Sequence, residues 1–109
     1  MKQITNQILT GLIAIVSLVS VAFLWKQNLI LSLVLIFLAT LMLVMNKSKK
    51  EIKTFIFCAF FGAIAEAFAI IFGAWTYGNP NIIGIPIWLF ILWGIASIFI
   101  VRVYLFFKN

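Results

Sequence analysis

Four apolar runs, at 8–25, 29–45, 54–75 and 82–107, alternate with three short polar breaks. A helix rises about 1.5 Å per residue and a bilayer's hydrocarbon core is about 30 Å thick, so runs of this length cross it. The first break, Lys26-Gln27-Asn28, is so short that 29–45 must return antiparallel beside 8–25. The second, NKSKKEIK at 46–53, is the one hydrophilic stretch and is expected to be a surface loop. The third, TYGNPN at 76–81, is a turn on chemical grounds, because Gly78 and the asparagines tolerate positive φ and Pro80 bars a helix at the preceding residue. The fourth run exceeds the length of a perpendicular span, and Pro86 lacks the N–H that a helix interior needs, so the last helix is expected to start there. The pattern predicts an all-α integral membrane four-helix bundle, one transmembrane domain over 1–109 with spans at 8–25, 29–45, 54–75 and 86–107. Residues 81–85 are left as irregular backbone, which the membrane tolerates only where protein or interfacial water satisfies it. Ser20-Val21-Ala22 loosely resembles a signal-peptide cleavage site, but the apolar run continues through Trp25, which favours a span.

Composition supports the same solvent: 66% of residues are apolar and 9% charged, too few polar groups to coat a water-soluble core. Charge adds orientation. Lys2, Lys47, Lys49, Lys50, Lys53, Arg102 and Lys108 fall at one end of the four-span pattern and Lys26 alone at the other, which predicts cytoplasmic N and C termini and a multi-pass protein of the cell membrane. Trp25, Trp75, Tyr77 and Trp88 gather at the opposite interface, where indole and phenol rings prefer to sit. The basic residues flank apolar runs and do not interleave with stacking aromatics, so no nucleic-acid partner is expected; the implied partner is membrane lipid. One cysteine, Cys58, and no histidine leave no metal site, no cofactor and no disulfide to expect.

The third run carries the candidate chemistry. Ala59, Gly62, Ala63, Glu66, Ala69 and Gly73 form one stripe of small residues, with Ala65 beside it, around an acid in the middle of an apolar run. Counted along a helix, Glu66 is roughly 16 to 20 Å from Lys53 and from Tyr77, near the bilayer midplane, where a carboxylate must face the bundle interior and be paired or protonated. Arg102 lies too far toward the cytoplasm to pair with it and is expected to snorkel to the inner head groups with Lys108. Trp93 is the first-choice neighbour, with Ser97 one turn on and Gly94 permitting close approach. The structural alternative is that Glu66 only fixes helix register through a neighbouring hydroxyl or indole.

Glu66, Gly73-Ala74-Trp75-Thr76-Tyr77, Pro86-Ile87-Trp88-Leu89 and Trp93 form an E…GxWxY…PxWL…W pattern. It resembles a group of uncharacterised small multi-pass membrane proteins and, more distantly, is similar to carotenoid hydratases and heterodimer-type lycopene cyclases, over residues 62–94. That resemblance implies Glu66 as the catalytic acid protonating a carbon–carbon double bond of an isoprenoid-like lipid, with Trp75, Tyr77 and Trp93 lining the groove. The cyclases carry Pro-x-Glu-Glu where this chain has Pro86-Ile87-Trp88-Leu89. The candidate ligand-binding set is Trp75, Tyr77, Trp88, Trp93 and Ser97, for an apolar or aromatic ligand. Two other functions fit the same residues. One is proton-coupled transport as a homodimer, since the chain looks like the small multidrug-resistance transporters, although those place their glutamate in the first helix. The other is a non-catalytic assembly subunit that offers the small-residue face to a partner helix.

Overall fold

The computed structural model describes residues 3–108; Lys2, counted above with the basic end, lies outside them. Four helices, α1 (Gln3–Leu24), α2 (Asn28–Asn46), α3 (Lys49–Ile71) and α4 (Trp88–Lys108), form an elongated bundle of 43 × 24 × 21 Å. All four are long and apolar enough to span a membrane. The chain is a multi-pass membrane protein of the all-α class. α4 is the central helix, packed against each of the others, and α3 packs chiefly on α4. The core between them is built from Leu31, Leu35, Leu38 and Met42 of α2, Ala63 and Ala67 of α3, and Leu89, Ile95 and Ile98 of α4. Phe57, Phe60, Phe61 and Phe68 of α3 and Phe72 at its C-cap point outward, as lipid-facing residues should.

The boundaries move for identifiable reasons. The 46–53 stretch is not a surface loop. Only Lys47 and Ser48 leave the helical region, Lys47 for the left-handed one at φ 49° and Ser48 for an extended one, and Ser48 caps α3, its hydroxyl accepting from the Glu51 N–H at 3.3 Å. Lys49, Lys50, Glu51 and Lys53 thereby become the first turns of α3. Ser48→Ala is expected to cost about 1 kcal/mol of stability, read as a shift in the midpoint of denaturant unfolding in detergent. At its other end α3 stops at Ile71, four residues before Trp75, because Gly73 turns the chain at φ 85°. α4 begins at Trp88, just after Pro86.

The connection 72–87 folds back into the bundle. Within it Ile82 to Ile85 make a tight turn in which Asn81 N–H and Ile82 N–H both donate to Ile85 O (2.9 and 3.0 Å) and Ile85 N–H donates to Ile82 O at 2.8 Å. The irregular backbone thus satisfies itself, and Ile85 and Pro86 are fully buried. Asn28 and Asn79 tie this connection to the α1–α2 turn reciprocally: Asn28 Nδ2 donates to Asn79 O at 2.9 Å, and Asn79 Nδ2 donates to Lys26 O at 2.8 Å.

An isolated hydroxyl in an apolar helix ordinarily bonds a carbonyl of its own helix, and Ser17, Ser20 and Thr40 do so, each donating to the carbonyl four residues back at 2.8 Å. Thr10 instead accepts from Arg102, and Ser32 Oγ is buried without a partner among the described residues.

Candidate functional site

Glu66 lies on α3 five residues before its last helical residue, Ile71, so it sits roughly 8 Å below that end of the helix and not at the midpoint of the span. The chain turns at Gly73 and brings Tyr77 back down, which closes the separation counted along an uninterrupted helix. Tyr77 hydroxyl donates to Glu66 Oε1 and the Trp93 indole N–H donates to Glu66 Oε2. Both carboxylate oxygens therefore take a donor, one from the 72–87 connection and one from α4. Burial holds the Tyr77 phenol well above its ordinary pKa, with the adjacent Glu66 carboxyl adding to the effect, so Tyr77 stays a donor throughout the physiological range.

The small-residue stripe explains how Trp93 reaches the acid. A Cβ at Gly62 would lie 2.6 Å from Trp93 Cγ, so only glycine leaves room for the indole against α3. A Cβ at Gly94 would lie 2.5 Å from Phe55 Cζ, so an aromatic ring of each helix sits on a glycine of the other. The buried residues are Ala59, Gly62, Ala63 and Ala67, with Ala65 and Gly73 exposed; the stripe curves toward Ala67 and away from Gly73. Its buried half faces α4 of the same chain and is not open to a partner helix.

The remaining sequence-expected residues divide. Trp88 is not at the lipid interface: it is 4% exposed, donates its indole N–H to Asn28 Oδ1 at 3.1 Å, and meets the Tyr77 ring edge-on at 6.2 Å between centroids. Ser97 is buried and donates to Gly94 O at 2.7 Å, spending its hydroxyl on its own helix. Trp75 is 45% exposed and makes no hydrogen bond to Glu66. Trp25 is also exposed, with the Lys26 ammonium 5.2 Å from its ring centroid. A cleft of about 420 Å³ opens here, lined by Val21 and Ala22 of α1, Trp25 just beyond it, the connection (Thr76 to Asn79) and Pro86 and Trp88. Tyr77 belongs to both the cleft wall and the Glu66 cluster. Among the described residues no group of three or more metal-ligand side chains comes together.

A second polar cluster occupies the basic end. Arg102 does not snorkel; it is 2% exposed and its guanidinium bonds three other helices. Nη2 donates to Glu51 Oε1 (2.8 Å) and Met42 O (2.6 Å), Nε to Glu51 Oε2 (3.1 Å), and Nη1 to Thr10 Oγ1 (2.8 Å) and Met45 Sδ (3.6 Å). Asn46 extends the network, accepting from Asn6 Nδ2 at 2.7 Å and donating to Glu51 Oε2 at 3.1 Å. The clue in the sequence is that the one acid among the lysines and the one cation inside an apolar run fall at the same end.

The family model described as "Protein of unknown function (DUF2878)" matches residues 8–105. The chain belongs to the DUF2878 family. The DUF2878 match takes in Glu66 and both its donors, the 72–87 connection and Arg102. No match to the chain was found among curated proteins or among solved structures.

Proposed function

We propose that this DUF2878 protein sits in the cell membrane with its basic end cytoplasmic and binds an amphiphilic membrane ligand in the 420 Å³ cleft at its aromatic end. In this reading Glu66 acts through others: it holds Tyr77 and Trp93 in place, and Tyr77 in turn shapes the cleft wall. The observation that carries it is the double engagement of Glu66 directly behind a cleft walled by Trp25, Tyr77 and Trp88. Aromatic walls with a few hydroxyl and amide groups suit a ligand that is apolar for most of its length and polar at one end. An isoprenoid-like lipid falls within that class. Because both carboxylate oxygens already take protein donors, the geometry favours binding over direct protonation of a ligand or proton exchange with it.

The test is mass spectrometry of lipid retained by the purified protein. Glu66→Gln replaces one acceptor oxygen by an amide that cannot accept from Trp93 or Tyr77, and Tyr77→Phe removes the other half of the contact. Each is expected to lower the retained ligand about tenfold, the equivalent of one hydrogen bond. Trp25→Ala, which lines the cleft without touching Glu66, is expected to do the same while the unfolding midpoint stays near wild type. Identical lipid profiles in all three variants would sink the proposal.

A further inference from the structure

The seam between α1 and α4 is open along much of its length. One cavity of about 260 Å³ is lined by Gly11, Ala14, Ile15, Ser17 and Leu18 of α1 and by Leu92, Ile95, Ala96 and Phe99 of α4. A second, of about 200 Å³, shares Leu18, Leu92 and Ala96 with it and is lined in addition by Trp93. The amphiphile cleft begins one turn higher, at Val21 and Ala22. From Gly11 to Trp25 the three openings follow α1 for about 21 Å.

Gly11 shows what the small residues here do. On α3, glycine admits a neighbouring ring; at Gly11 a Cβ would meet nothing within 4 Å among the described residues. Gly11 therefore faces open space and not a packed helix, and Ala14 lines the same cavity. Atoms lining such a gap forfeit dispersion contacts until something fills it, and in a bilayer that loss, not the hydrophobic effect, is what drives filling.

We infer that the α1–α4 seam is the tail site for the ligand of the cleft, and that the ligand is a single-chain amphiphile. The inference rests on the cleft reading above, which supplies the polar end. Three features fix the occupant. The walls are apolar but for Ser17, whose hydroxyl is spent on Ile13 O, the polar groups lie at one end, and volumes of about 260 and 200 Å³ that share three lining residues suit one hydrocarbon chain.

The probe is hexadecan-1-ol carrying a diazirine at its tail, photolysed with the full-length protein in phosphatidylcholine nanodiscs and mapped by peptide mass spectrometry. Label is expected on residues 11–18 and 92–99, and not on the exposed Phe57–Phe72 face of α3. Ala96→Leu fills the seam and should abolish that label while the unfolding midpoint stays at or above wild type. Label spread over α3 in proportion to exposure, or label that survives Ala96→Leu, overturns the tail site. A diacyl phosphatidylcholine with the same diazirine that labels the seam equally well overturns the single-chain assignment. Trp25→Ala separates the two readings: loss of seam label there supports both, whereas label lost in Ala96→Leu alone keeps the tail site and overturns the cleft as its head site.

Discussion

Arg102→Ala is expected to lower stability by about 3–5 kcal/mol, enough to leave little folded protein, because it strands a carboxylate that the fold has taken out of water. Glu51 would keep only Asn46, while the Thr10 hydroxyl and the Met42 carbonyl would lose their buried donor. Arg102→Lys should recover part of the loss and no more. An ammonium keeps the charge but offers three donors where the guanidinium reaches two Glu51 oxygens, Thr10, Met42 and Met45 from a planar fork. Arg102→Met combined with Glu51→Gln should be more stable than Arg102→Ala, since removing both charges of a buried pair avoids the penalty of leaving one. Equilibrium unfolding in mixed micelles reads all three variants. An Arg102→Ala protein as stable as wild type would show that the clasp contributes nothing.

Gly62→Ala carries the next largest effect, a net loss of about 1–3 kcal/mol. In an isolated helix alanine is better than glycine by about 1 kcal/mol, so the sign here reports packing. The added methyl would meet Trp93 at Cγ, the root of its ring, which cannot swing clear without moving the whole indole and releasing Glu66. Overpacking of about 1–3 kcal/mol thus adds to a lost hydrogen bond. Gly94→Ala should cost less, because its methyl meets the far edge of the Phe55 ring. Gly11→Ala should be neutral or stabilising, since its methyl enters open space. The cause is isolated by repeating Gly62→Ala in a Trp93→Leu background, where most of the penalty should vanish.

Span number, the return of α2 beside α1 and the pairing of Glu66 with Trp93 follow from features a sequence displays well: long apolar runs, breaks too short to travel, and an acid that cannot stay unpaired in an apolar run. Tyr77 and Arg102 were harder for one shared reason. Distance counted along a helix assumes that the helix continues, and α3 ends at Ile71, so Tyr77 returns to an acid that lies 11 positions back. Likewise, snorkelling is the default for an arginine near a helix end only when no acid is within reach. The acid within reach, Glu51, was hidden in a lysine-rich run that reads as a solvated loop, because a cap at Ser48 carries little signal beside four lysines. The groove at Gly11 has no signature in a single sequence, since glycine in a span is equally the mark of tight packing.

The Arg102 cluster also bears on how the chain is made. Thr10, Met42 and Glu51 are synthesised long before their shared partner, Arg102, which lies on α4. Until the last helix arrives, the Glu51 carboxylate has no arginine and must stay hydrated at the membrane surface, held there by the neighbouring lysines. Closure of the basic end therefore waits for α4. A ribosome stalled before residue 102 would hold three helices whose polar groups at the basic end still lack their arginine.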